Sequence, residues 1–311
     1  MSTGAHAKRV EACYEFFDRL FPACGLVDFT EGMYRGDPTT PYEETQRAQI
    51  DHLLDQAGCA GNARLLDIGC GNGTLLERAA KRGASPLGIT LSPAQLARCR
   101  ARGLEARLLD YRDLDAAYEN RFDAVVANGS LEHFARPRDA ATGRADTIYR
   151  RFFEICHRVI DPASSSGRLV TTVIHMAAPL QPAALERNPL TLGWGSHAFH
   201  GAWLNRGLGG SYPSFGQLQR CAAGMFRLVD EEDGTQDYLW TSEEWLRRVK
   251  ACLMRPDTGP PLWASLAGFC ARHPFQGSAL LLGLLVFESW NAQFRGASPP
   301  TRLLRQTWQR V

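Results

Sequence analysis

Leu65-Leu66-Asp67-Ile68-Gly69-Cys70-Gly71-Asn72-Gly73-Thr74 is the stretch on which the reading of this 311-residue chain turns. An apolar run of strand length ends at Asp67, and glycines at alternate positions let the backbone turn sharply and approach a ligand. Thr74-Leu75-Leu76-Glu77-Arg78 then starts a helix, whose first amides would face that ligand. A strand, glycine turn and helix in this order predict a crevice for a nucleotide-like cofactor.

Working outward, residues 63 to 174 alternate between strand and helix patterns. Strands are expected at Arg64–Ile68, Pro86–Thr90, Glu105–Leu109, Phe122–Ala127 and Arg168–Ile174, with helices at Thr74–Lys81, Pro93–Arg102 and Asp146–Ile160. Ser92-Pro93 is a cap followed by a proline at the first helical position. Short loops between such elements specify an α/β fold: a Rossmann-like, doubly wound, mostly parallel sheet, with ligands bound outside the carboxyl ends of its strands.

Four regions follow. Residues 1–60 read as a helical N-terminal cover, with a stripe at Val10, Cys13, Phe16, Phe17 and Leu20 and a second helix from Pro41 to Ala57. Residues 61–175 form the cofactor-binding core. The proline-, glycine- and aromatic-rich insertion at 176–213 is expected to be a lid. Residues 214–311 complete the sheet and its helices, with an apolar helix near Ser278–Phe294 and a basic, helical tail carrying Arg302, Arg305 and Arg310.

Composition narrows the class. A net charge of +2 gives no field that would favour nucleic acid. The nine cysteines form no C-x-x-C pair, which argues against a disulfide framework or a zinc site and for a reducing cytoplasm. The longest apolar run, Ala279–Phe287, is too short to cross a bilayer, which leaves peripheral contact open. The apolar final helix and arginine tail would suit a homodimer contact.

Gly69-x-Gly71-x-Gly73 is not the dinucleotide pattern, because its third glycine comes one residue early, and no Lys-Ser pair follows to make a phosphate loop. Leu66–Gly73 instead resembles motif I of class I S-adenosylmethionine-dependent methyltransferases. Gly88–Gln95, Leu109–Leu114, Arg121–Val126 and Ser130–Phe134 resemble successive motifs of the cyclopropane-fatty-acid synthase branch. So do Tyr149-x-x-Phe152-Phe153, Gly209-Gly210-x-Tyr212-Pro213-Ser214, Asp237-Tyr238 with Trp245, and Ala292–Arg295.

The resemblance implies S-adenosylmethionine as cofactor. Asp67 with Gly69, Cys70 and Gly71 would hold its methionine portion, and Asp110 with Tyr111 its adenine. Thr90 stands where most of the superfamily has an acidic ribose ligand; in this branch Thr90-Leu91 is followed by the ribose-binding glutamine, here Gln95. Asn128 completes the cofactor set.

For the chemistry, the branch holds a bicarbonate base with a glutamate, a cysteine, a histidine and a tyrosine. Glu132 matches the glutamate, while Gly32, Thr172 and an apolar residue near Leu285 or Val286 stand at the other three positions. His175 would compensate only if the strand end curled back. Glu132 and His133 are expected where acceptor and methyl group meet, as acceptor-orienting or proton-accepting groups; the plain alternatives are a partner for loop amides and a core or helix-capping histidine. Thr30-Glu31-Gly32-Met33-Tyr34 also resembles the N-terminal segment with which small-molecule O-, N- and C-methyltransferases close a lid over the cofactor, which would put Tyr34 at the sulfonium end and Glu31 facing acceptor or cofactor, against the alternative of a surface loop. Trp194, Tyr212, Tyr238 and Trp240 are candidates for the acceptor pocket or simply packing.

The expected activity is methyl transfer to carbon or oxygen of a hydrophobic or amphipathic small molecule: a lipid, a prenyl compound or a specialised metabolite. The alternatives are a cyclopropane-forming lipid synthase with a base site rebuilt from Glu132 and His175, and a non-catalytic cofactor-binding protein.

Overall fold

The computed structural model describes residues 3–177 and 182–311. Two helices, α1 (Thr3–Leu20) and α2 (Tyr42–Gln56), precede the sheet. Next come β1 (Arg64–Ile68), α3 (Thr74–Lys81), β2 (Ser85–Thr90), α4 (Pro93–Ala101), β3 (Ala106–Leu108), β4 (Ala124–Asn128), α5 (Pro137–Ala141), α6 (Arg144–Val159) and β5 (Arg168–Met176). The remainder is α7 (Pro182–Glu186), α8 (His197–Leu208), α9 (Gln217–Ala222), β6 (Phe226–Asp233), α10 (Thr235–Met254), α11 (Gly259–Arg272), α12 (Pro274–Leu281), α13 (Ser289–Ala292) and β7 (Thr301–Arg310).

The seven strands lie in the order β3-β2-β1-β4-β5-β7-β6. β1 to β5 are parallel, and β7 runs antiparallel between β5 and β6. The strand order reverses between β1 and β4, which opens a crevice at the carboxyl ends of those two strands, directly after Ile68 and Asn128. Helix α6 shows why the core forms. Tyr149, Phe152, Phe153, Cys156 and Val159 recur at helical spacing and are buried together with Trp308 of β7, whose Nε1 donates to Thr171 Oγ1 at 3.0 Å.

Two expectations fail in the C-terminal region. The basic tail is not a helix but the long strand β7, buried inside the sheet rather than left free to meet a second copy. Its pairing explains a pattern that carries little apolar signal of its own. Across the register Arg305 faces Glu232 and Gln306 faces Glu231, with side-chain bonds of 3.0 and 2.7 Å, and Arg302 reaches Asp233 at 3.3 Å. The apolar helix expected at Ser278–Phe294 is broken into α12, a π-helical turn at Leu282–Val286 and α13, with Glu288 left-handed at φ 47°. Of the insertion at 176–213, residues 178–181 lie outside the described part. The rest carries α7 and α8, and α8 packs against α12.

Candidate active site

One cavity of about 470 Å³ runs from the glycine turn to a deep apolar chamber under α1, α8 and α10. At its cofactor end the turn after β1 holds Gly69 at φ 87°, and a side chain there would place its Cβ 2.9 Å from Ser130 Cβ. Glycine is therefore required for the chain to turn beneath a ligand. Asp67 is buried beside this turn and lines the cavity. Burial first, then the nearby Cys99 and Asp28, push its carboxyl up to about 8. A carboxylate so placed is matched by a cationic amino group.

Across the crevice Thr90 Oγ1 donates to Gln95 Oε1 at 2.8 Å and accepts from Ser92 N, while Ser92 caps α4. This fixes the Gln95 amide and leaves its nitrogen free to donate. Asp110, just past β3, accepts from Arg112 Nε at 2.9 Å and Nη2 at 2.5 Å. Burial alone would raise its pKa, but the Arg112 bonds outweigh that and hold it below the usual carboxylate range. Each carboxylate oxygen retains acceptor capacity beyond that pair. Tyr111 stacks on Phe134 at 4.3 Å between ring centres, so two rings wall this side. Leu91, Cys70, Gly71 and Asn128 also line the cavity, and Asn128 Oδ1 has no protein partner.

The chamber beyond is floored by β5 and β7. Thr172, Ile174 and Met176 point into it, and so do Thr301 and Leu303. Glu132 Oε1 accepts from Ile174 N at 2.8 Å, so the plain reading, a partner for a backbone amide, accounts for one of its oxygens. Its Oε2 is buried and has no partner among the described residues. Burial pushes the Glu132 carboxyl up to about 7, and Glu31 adds to the effect. Glu31 lies on the same chamber, also pushed up to about 7 by burial. His133 is kept neutral, lowered to about 4 by burial and then by His6, and its Nδ1 is unpartnered. Tyr212 and Tyr238 face this space.

The segment Val27–Tyr34 covers the cavity and is tied down at both ends. Asn72 Nδ2 donates to Val27 O at 2.6 Å, and Thr74 donates to Asp28. At the other end Gly32 N donates to Thr241 Oγ1 at 2.8 Å, and Tyr34 N to Asp237 Oδ1 at 2.9 Å.

Four expected positions fall outside the cavity. Tyr34 turns away and packs edge-on against Trp240 at 5.4 Å, so neither ring reaches the sulfonium or acceptor end. Trp194 is 76% exposed and rests on Phe199 and Phe287. His175 is excluded by strand alternation. The even-numbered residues of β5 face the chamber, so His175 points to the opposite face, where its Nδ1 lies 3.0 Å from Val173 O. It supplies no rebuilt base. Leu285 and Val286 are likewise remote, and Gly32 has no room for a side chain, since a Cβ would meet Thr45 Oγ1 at 2.3 Å.

Sequence reasoning missed Tyr14, Phe17 and Phe29, which build the chamber from the N-terminal cover, and Trp290 of α13 and Gln293 just after it, which close it. Both side-chain amide atoms of Gln293 and the Trp290 Nε1 are buried without partners. Only the aromatic density of residues 14–29 hinted at the first group.

A mycolic acid cyclopropane synthetase family model matches residues 2–255, well over half the chain. The chain belongs to the mycolic acid cyclopropane synthetase family. This family member is 35% identical over 128 residues to a ubiquinone biosynthesis O-methyltransferase of Pseudomonas aeruginosa, covering 39% of the chain and 50% of that protein. It is 33% identical over 166 residues to cyclopropane mycolic acid synthase 2 of Mycobacterium leprae, covering 50% of the chain and 49% of that protein. The synthetase-family chain thus spans about half the length of these curated relatives. Its fold matches mycolic acid cyclopropane synthase CmaA1 complexed with SAH and CTAB, with a TM-score of 0.70, 22% identity and 98% of each chain covered.

Proposed function

We propose that the protein transfers a methyl group from S-adenosylmethionine to carbon or oxygen of a hydrophobic or amphipathic small molecule. The observation that carries this is continuity: one cavity joins the Asp67–Gly69 turn to an apolar chamber with unpartnered polar groups at its depth. Asp67 would hold the cofactor's ammonium, Gln95 its ribose and Asp110 its adenine amino group. The cofactor supplies an electrophilic methyl. The protein's part is to align the acceptor for in-line displacement, exclude water and accept a proton where the acceptor must lose one.

Methyl transfer is favoured over cyclopropane formation because Gly32 and Thr172 offer no cysteine or histidine and His175 faces away. Glu132, on the chamber, is the feature that favours the synthase alternative. The nine free cysteines support a reducing, cytoplasmic setting, and among the described residues no helix is long and apolar enough to cross a membrane.

The test is a thermal-shift titration with S-adenosylmethionine and S-adenosylhomocysteine, followed by mass spectrometry against lipid, prenyl and phenolic acceptors. No stabilisation at saturating cofactor would refute both enzyme readings. A product that gains 14 mass units and loses a double bond would favour the synthase instead.

A further inference from the structure

Glu31 and Glu132 reach the chamber from different parts of the chain and are both tied to β5, Glu132 directly and Glu31 through Gln49. Gln49 Nε2 donates to Glu31 and lies 3.4 Å from Thr172 Oγ1, while Glu132 is bonded to Ile174 N. Thr172 and Ile174 are successive cavity-facing positions of β5, about 7 Å apart along the strand. Both carboxyls are buried, 3% and 6% exposed, among Tyr14, Phe17, Phe29, Tyr212 and Tyr238. Among the described residues no cation forms an ion pair with either one: Arg305, whose charge acts on Glu31, donates its Nε to the intervening Gln49 Oε1 at 2.6 Å.

Resting on the methyltransferase reading, we propose that Glu31 and Glu132 share one proton between them and act together as the base of this site. The acceptor's head group is then neutral or cationic, with an O–H, N–H or acidic C–H to lose, and not a diphosphate or a free carboxylate.

The electrostatics follow from the surroundings. Groups facing Glu31 are Gln49 on α2, Asn128 on β4, Arg305 on β7 and Asp237 on α10; those facing Glu132 are Ile174 N on β5, Tyr14 on α1, Tyr149 on α6, Tyr212 and Tyr238. Two unpaired charges in this apolar space repel, so one carboxyl keeps a proton near neutral pH. In the transfer the acceptor atom forms its bond to the methyl carbon as the carbon–sulfur bond breaks, and the electron pair stays on sulfur. The acceptor proton moves to the ionised carboxylate. For a neutral acceptor the sulfonium charge and the carboxylate charge disappear together; an ammonium acceptor first gives its proton to the ionised carboxylate to free the lone pair that attacks, and its methylated product keeps one positive charge. Either way a neutral sulfide and a doubly protonated pair remain.

The described lining favours a neutral or cationic head group. Asp28 and the ionised member of the pair carry its unneutralised acidic charge, while Asp110 is bound to Arg112, Asp18 to Arg98, and Arg151 is the remaining arginine among the described lining residues.

The test uses the whole protein labelled with carboxyl-13C glutamate, together with Glu31→Gln and Glu132→Gln. Two coupled carboxyl titrations between pH 6 and 8 are expected in the parent, with a single step displaced to lower pH in each variant. Two independent titrations below pH 5 would overturn the pair. Head-group choice is read by thermal shift with geranylamine, geraniol and geranyl diphosphate, with and without S-adenosylhomocysteine. The amine should gain about tenfold in affinity over geraniol between pH 6 and 8 through linkage, and each variant should lose that gain. Binding of the diphosphate as tight as that of geraniol, a gain that persists in both variants, or binding of none of the three overturns the head-group assignment. Failure of S-adenosylhomocysteine alone would strike the cofactor reading, while the carboxyl titration still decides the pair.

Discussion

Arg305 Nη1 lies 2.9 Å from Asp237 Oδ2, with the arginine side chain 1% exposed. The same guanidinium donates to Gln49 Oε1, Glu232 Oε1 and Gly32 O, so one residue of β7 joins α2, α10, β6 and the cover segment beneath which the cavity lies. Asp237 in turn holds Tyr34 N. The position of Glu31 over the chamber therefore depends on an ion pair formed some 270 residues later in the chain.

Arg305→Leu should destabilise the protein by about 3–5 kcal/mol, because it strands the Asp237 carboxylate in the interior. Urea unfolding monitored by tryptophan fluorescence measures this. Arg305 with Asp237 both replaced, by Leu and Asn, should recover part of the loss; a double variant no better than the single would contradict the pairing argument.

Asp67→Asn should weaken S-adenosylhomocysteine at least about tenfold, since it removes a buried carboxylate beside the glycine turn. The same change should stabilise the ligand-free protein at pH 8, because it removes a charge that burial disfavours. Calorimetry for binding and a thermal melt for stability separate the two effects. Unchanged affinity would remove Asp67 from the cofactor site.

Stability of the ligand-free protein should fall as pH rises from about 6.5 to 8. Asp67 at about 8 and Glu31 and Glu132 at about 7 bind protons more tightly folded than unfolded, so their stabilisation is complete below the unfolded carboxyl range and is lost through their folded pKa values. His133 and His175, lowered to about 4, act oppositely: their contribution is present above about 6.5 and is lost as pH falls towards 4. Above pH 6.5 the carboxylates alone operate, for a decrease of about 2–3 kcal/mol. Urea midpoints across this range check it, and a flat profile would refute the burial of these groups.

Gly32→Cys should not restore a bicarbonate ligand. The new Cβ would meet Thr45 Oγ1 at 2.3 Å and the Tyr34 ring at 2.8 Å, at a cost of about 1–3 kcal/mol. Lowered melting temperature with no bicarbonate-dependent product is the expected result, and Thr45→Ala added to it should regain part of the stability.

The sequence alone determined the parallel half of the sheet and the cofactor end of the cavity. Those features are local: β1, the glycine turn and α3 are adjacent in the chain, and the apolar runs of β1 and β4 are buried on both faces, so their period needs no partner to be read. What the tertiary structure decided is the acceptor chamber. Thr301–Arg310 reads as a polar, basic tail until β6 supplies Glu231, Glu232 and Asp233 opposite it, and only this pairing turns it into a strand. His175 could stand in for the histidine missing at Thr172 only if the end of β5 curled back; the strand instead stays regular, and its two-residue period sends Thr172 into the chamber and His175 away. Glu31 and Glu132 are about a hundred residues apart, and neither shows in isolation that it is buried beside the other. Burial pushes both carboxyls up, and that desolvation is imposed by folding, which no local pattern encodes.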